Sequence, residues 1–125
     1  KLNFKNKNYK TNTIFCTLLL SGNQEIKKLN KRFRKVNKST DVLSFPFYKK
    51  KILRNKIKKE KEIYLGDIII NFNKVNSKNN LKIFKLQFDK LLIHGLVHLF
   101  GHDHKKEKDF RKMSRIEAAY LNYIK

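Results

Sequence analysis

The chain is 125 residues long, enough for one domain with a real core but not for two. It carries 31 Lys and Arg against 10 Asp and Glu, a formal charge of +21, and one cysteine. The single cysteine excludes an internal disulfide scaffold and suits a reducing cytoplasm. No apolar run approaches the roughly 20 residues of a membrane-spanning helix, so no membrane partner is expected. No signal-peptide pattern is visible, although the chain starts at Lys1 rather than Met, which leaves room for a trimmed leader.

Taken in chain order, Thr13–Leu20 is apolar and rich in β-formers, and is expected as a central strand with Cys16 as a buried structural thiol. Ser21-Gly22-Asn23 supplies helix-start residues. Ile26, Leu29 and Phe33 then follow at spacings of three and four, the signature of an amphipathic helix to about Lys35. Val36–Asp41 reads as a polar loop. Val42–Phe47 reads as a short strand that Pro46 confines to a sheet edge or a strand end. Lys49–Lys61 is expected as a lysine-heavy solvated loop. Tyr64–Asn71 is a second strong strand, antiparallel to the one at Val42. The period becomes helical from about Leu81 to Phe100. Phe110, Met113, Ile116, Glu117 and Leu121 form the stripe of a last helix packed against it. Strands and helices do not alternate strictly, so the fold class is α+β, a single domain over residues 1–125 with one small mixed sheet packed by helices.

A surface this basic attracts nucleic acid with steep salt dependence. Only five of the cations are arginines, however, and Lys, Asn and Ile are all abundant, as expected of A/T-rich coding. Part of the charge is therefore compositional drift. Arg32 and Arg34 persist where lysine is the default, and arginine alone offers planar, bidentate phosphate contacts.

The densest chemical signal is His94-Gly95-Leu96-Val97-His98-Leu99-Phe100-Gly101-His102-Asp103-His104, which holds all four histidines. His94 and His98 are four apart, so on a helix they share a face one turn apart, where two imidazoles can grip one ion. Gly101 suits a left-handed turn that ends the helix and lets His104 return as a third ligand. His102 competes for that place. On a straight helix it would stand about 12 Å from His94, too far to share an ion with bonds of about 2.0–2.1 Å. Three protein ligands with one open position is the arrangement of a catalytic zinc, one ion per chain. Without a metal, two imidazoles on an apolar helix would need other partners for their nitrogens. The spacing also matches the metzincin proteases, but those have a glutamate after the first histidine where this chain has Gly95. Peptide hydrolysis is accordingly disfavoured.

This motif is joined by Leu29-Asn30-Lys31-Arg32-Phe33-Arg34, by Lys38-Ser39-Thr40-Asp41-Val42-Leu43-Ser44-Phe45-Pro46-Phe47 and by Leu65-Gly66-Asp67-Ile68. Together, from about Thr13 to the end, the chain resembles the YbeY family of bacterial metallo-endoribonucleases. The resemblance implies a zincin-like α+β fold with zinc on His94, His98 and His104. It also implies single-strand-specific RNA cleavage in 16S ribosomal RNA 3′-end maturation and in ribosome quality control, with ribosomal RNA and the small ribosomal subunit as partners in the cytoplasm. Arg34 matches the family's functional arginine near the metal. Departures are His102 where the family usually has Tyr, Ser39 where it often has Pro, and Asn37 where Asp is common; the family's N-terminal strand and helix are expected to be shortened.

The chemistry implied is metal-assisted phosphodiester hydrolysis, with Arg34 holding the phosphate and stabilising transition-state charge. Its alternative role is a plain surface arginine. Asp103 either orients an imidazole or caps the following helix. Ser44 and Thr40 either line the pocket or make turn and edge hydrogen bonds, and Lys38 is a candidate contact to the RNA backbone. Asp67, after Gly66, reads as a turn residue. No general base stands out. Two other classes remain open, a non-enzymatic metal-stabilised ribosome assembly factor and a metallohydrolase of another substrate.

Overall fold

The computed structural model describes residues 13–75, 80–102, 111–112 and 114–119. Three strands, β1 (Thr13–Ser21), β2 (Val42–Pro46) and β3 (Glu62–Asn71), form one sheet in the order β1-β3-β2. β1 runs parallel to β3 and β2 antiparallel to it. With the helices α1 (Asn23–Arg34), α2 (Lys50–Lys59) and α3 (Leu81–Leu99), this is the expected α+β fold with one small mixed sheet.

Among the described strands β3, not β1, is the central one, paired with β1 on one edge and with β2 on the other. Ile63, Leu65, Ile68 and Ile70 pack with Leu53 and Ile57 of α2 and with Leu96 and Leu99 of α3. Ile69 faces the other way, onto Ile26 of α1 and Leu43 of β2. The inward positions change from odd to even numbers along the strand, which strict alternation forbids. A bulge resolves this, since Phe15 pairs with Tyr64 but Cys16 pairs with Gly66, leaving Leu65 as the extra residue. Gly66 takes φ +139°, and a Cβ there would come within 2.2 Å of the Phe45 carbonyl oxygen.

Among the described strands β1 is an edge, and Phe15, Leu18, Leu19 and Leu20 are exposed. Cys16 is exposed as well, not the buried thiol its apolar flanks suggest. Asp67 lies within β3 rather than in a turn, and its carboxylate accepts from the Tyr64 hydroxyl.

The lysine-rich segment after β2 is also a correction, for Lys50–Lys59 is helical rather than looped. Lysine is a good helix former. Leu53 and Ile57, four apart, give the helix a buried stripe, and Lys56 pairs with Glu60 across one turn. The loop between α1 and β2 is fixed by asparagines. The fully buried Asn71 side chain donates to Asn23 Oδ1 at 2.6 Å and to the Thr40 carbonyl at 3.0 Å, while Asn30 donates to the Lys38 carbonyl at 2.8 Å.

α3 begins at Asn80, whose side chain accepts from the Lys82 and Ile83 amides. It ends in a Schellman turn. Gly101 takes φ +90°, its amide donates to the His98 carbonyl at 2.9 Å, and the His102 amide reaches the Val97 carbonyl at 3.4 Å.

Candidate metal centre and cleft

His94 and His98 stand one turn apart on α3, half-buried, with ring centroids 4.7 Å apart. Each Nδ1 faces an acceptor: His94 Nδ1 lies 2.6 Å from Glu117 Oε1, and His98 Nδ1 lies 2.9 Å from the His102 carbonyl oxygen. Those acceptors call for a hydrogen on each Nδ1, and in the neutral form of either ring that leaves the lone pair on Nε2. The two Nε2 atoms are only 3.2 Å apart. Two lone pairs at that distance repel unless a proton or a cation lies between them. Two nitrogens on one tetrahedral zinc, with bonds of about 2.0–2.1 Å, would be about 3.3 Å apart. The pair therefore fits a shared metal ion, and the partners on the far nitrogens are those that usually fix ligating histidines.

The Schellman turn explains half of this arrangement, since it is what brings the His102 carbonyl back to His98. Among the described residues no third His, Cys, Asp or Glu joins the pair. His104 and Asp103, the expected third ligand and its neighbour, lie outside the described residues.

A cleft of about 670 Å³ opens beside the two imidazoles. Arg34, Val36, Thr40 and Ser44 line it together with Gly101 and His102. Arg34 sits at the last position of α1. Its guanidinium donates to the Ser44 carbonyl and lies 5.5 Å from the centroid of the Phe45 ring. Ser44 lines the cleft, but its buried hydroxyl donates to the Gly95 carbonyl at 3.0 Å, which ties β2 to α3. Lys38 is exposed and does not line the cleft; its carbonyl accepts from Asn30. Burial pushes the His102 imidazole below its ordinary value, and the cations Lys50, Lys112 and Arg54 nearby push it the same way.

The endoribonuclease YbeY family model matches residues 2–125. The chain belongs to the YbeY family. A relative from Pelagibacter ubique (strain HTCC1062), named endoribonuclease YbeY, is 48% identical over 99% of this chain and 80% of its own length. A second of the same name, from Thermodesulfovibrio yellowstonii, is 36% identical over 90% of this chain and 68% of its own. The solution structure of a Thermotoga maritima protein is similar at a TM-score of 0.53 and 26% identity, over 87% of this chain and 67% of that one.

The YbeY match begins well upstream of Thr13, where the recognisable motifs start. Glu117 is the site residue that sequence reasoning did not single out. Residues 114–119 are helical, and this carboxylate reaches back to His94. Its signal was present as the one charged member of an otherwise apolar stripe. A carboxylate in that position orients the ring. Glu117→Gln is expected to weaken metal affinity about 10- to 100-fold, measured by competition with a chromogenic chelator. Affinity equal to wild type would remove Glu117 from the site.

Proposed function

We propose that the chain is a metal-dependent, single-strand-specific endoribonuclease with one zinc ion held by His94, His98 and His104. The observation that carries this reading is the approach of two imidazole Nε2 atoms to 3.2 Å, each ring steadied at Nδ1, beside an open cleft that Arg34 also lines. α3 and the turn at Gly101 then serve as a zincin-like metal helix. Bound there, a zinc ion would supply Lewis-acid polarisation of a phosphoryl oxygen and water made acidic enough to act near neutral pH.

The chain's own groups do the rest. The Arg34 fork uses one N–H on the Ser44 carbonyl and keeps others for a phosphate. The contact with Phe45 limits the freedom it would otherwise lose on binding. Glu117 and the His102 carbonyl hold the imidazoles in one tautomer. Asp103 and Lys38 are assigned no catalytic step. Ser44 acts through its backbone, by holding Arg34, and through its hydroxyl, by seating the metal helix. The substrate fits the charge of the chain, +21, which draws polyanions strongly at low salt. The family's name speaks of RNA cleavage, and the proposed biological substrate is 16S ribosomal RNA at its 3′ end. The small ribosomal subunit is the partner, ribosome quality control the wider role, and the cytoplasm the location.

The test is cleavage of a labelled single-stranded RNA by zinc-loaded protein. Cutting is expected to stop on chelation, to return with zinc, and to spare the same sequence in duplex form. Intact single-stranded RNA after incubation with fully loaded protein would overturn the assignment. Arg34→Ala is expected to lower kcat about 10²- to 10³-fold, as when one preorganised charge-stabilising donor is removed, with zinc content unchanged. Wild-type kcat in that variant would return Arg34 to the role of a surface residue.

A further inference from the structure

The amphipathic stripe of α1 does not stay in the core. Ile26 is fully buried and Leu29 is half-buried, but Phe33 is 55% exposed. A lone exposed phenylalanine means little. Phe33 is not alone. Its ring meets Phe45 of β2 edge-on, with centroids 5.4 Å apart. Arg32 lies 5.2 Å from the Phe33 centroid, and Arg34 lies 5.5 Å from that of Phe45. Two of the five arginines of a lysine-dominated chain thus lie over one aromatic pair, of which Phe33 is exposed and Phe45 half-buried. Arg34 and the neighbours of Phe45 in sequence, Ser44 and Pro46, line the cleft.

We propose that Phe33 and Phe45, bracketed by Arg32 and Arg34, form a base-stacking platform that holds one nucleobase of single-stranded RNA beside the cleft. This rests on the endoribonuclease reading and adds a substrate contact to it. Aromatic faces take any base, because every base has a π-face, and arginine adds cation–π attraction to the stack. The flanking guanidiniums match the phosphates on either side of the stacked base, which favours a nucleic acid over an uncharged or basic partner. Such a platform also gives a reason for single-strand preference, since bases within a duplex cannot be splayed onto a ring.

The chain has no tryptophan, so Phe33→Trp introduces a single reporter. Zinc-loaded Phe33→Trp protein is mixed in a stopped-flow instrument with three oligonucleotides of equal length: a single-stranded RNA, its duplex, and an abasic strand. Saturable quenching of indole emission is expected with the single strand only. Phe33→Leu, which keeps an apolar group against Phe45, is expected to raise KM for single-stranded RNA about tenfold, with kcat reduced less than twofold. Far-UV circular dichroism verifies its fold. Absence of quenching by a single strand that binds, quenching by the abasic strand as strong as by RNA, or an unchanged KM in Phe33→Leu would each overturn the platform. Quenching is read independently of turnover. Quenching without cleavage by wild-type protein would therefore support the platform while refuting the nuclease reading, and cleavage without quenching would do the reverse.

Discussion

His98→Ala is expected to reduce zinc from about one ion per chain to a trace and to lower RNA cleavage on the order of a thousandfold or more. His98 does two jobs at the end of α3. Its Nε2 lies 3.2 Å from that of His94, and its Nδ1 occupies the carbonyl of His102 that the Schellman turn presents. Removing the ring leaves one imidazole on the helix and releases the turn that leads toward His104. Two histidines cannot hold a zinc ion at the affinity of three. Metal content by mass spectrometry and cleavage rate, measured on the same preparation, report both effects. Far-UV circular dichroism separates them from loss of fold. A His98→Ala protein that keeps its zinc and its rate would show that the paired imidazoles are not the metal site.

Gly95→Ala is expected to destabilise the protein by about 1–2 kcal/mol, although helix propensity alone argues the other way. Replacing a mid-helix glycine with alanine ordinarily gains about 0.5–1 kcal/mol. Here the added Cβ would meet Ile68 Cγ2 at 2.8 Å and Ser44 Oγ at 3.0 Å. Ile68 is fully buried on the central strand, and the Ser44 hydroxyl is committed to the Gly95 carbonyl. Neither neighbour is a flexible side-chain end. Overpacking at such a site costs about 1–3 kcal/mol, which outweighs the propensity gain. A thermal melt is expected to show a Tm lower by roughly 4–8 °C. Gly95→Glu, which installs the residue a metalloprotease would carry, adds an unpaired buried carboxylate to the same clash and is expected not to accumulate as folded protein. A Gly95→Ala chain as stable as wild type, or more so, would show that α3 does not sit this close to the sheet.

The close contacts around Gly95 give the histidine segment a second physical meaning. From residues alone, the missing glutamate reads as a lost general base. The structure adds a packing reason, because α3 approaches β2 and β3 too closely for any side chain at that position. The same closeness puts the imidazoles at the cleft wall beside Ser44.

Much of the fold was legible because period and punctuation agree. Gly101 marks the left-handed stop of α3, and the apolar spacing of Tyr64–Asn71 marks the strand that pairs with β2. Three features were hidden for physical reasons. β1 is as apolar as a central strand, but among the described strands it is β3 that has neighbours on both edges, and strand pairing is a tertiary fact. α2 has only Leu53 and Ile57 as buried anchors among its lysines, so its amphipathicity is masked by composition. The bulge at Leu65-Gly66 breaks the period-two pattern at the point where strict alternation would send Ile68 and Ile70 to the wrong face. In the candidate site, the histidine spacing and Arg34 stood out in the sequence. Glu117 did not, because 23 residues separate it from His94 and only the packing of the last helical stretch brings them together.

The most direct measurement is an anomalous-difference map, recorded at the zinc edge from crystals grown with zinc. One peak per chain is expected about 2.0–2.1 Å from the Nε2 atoms of both His94 and His98, with His104 completing three protein ligands. A zinc peak elsewhere on the chain, with the two imidazoles binding nothing in common, would contradict the metal centre on which the proposed chemistry depends.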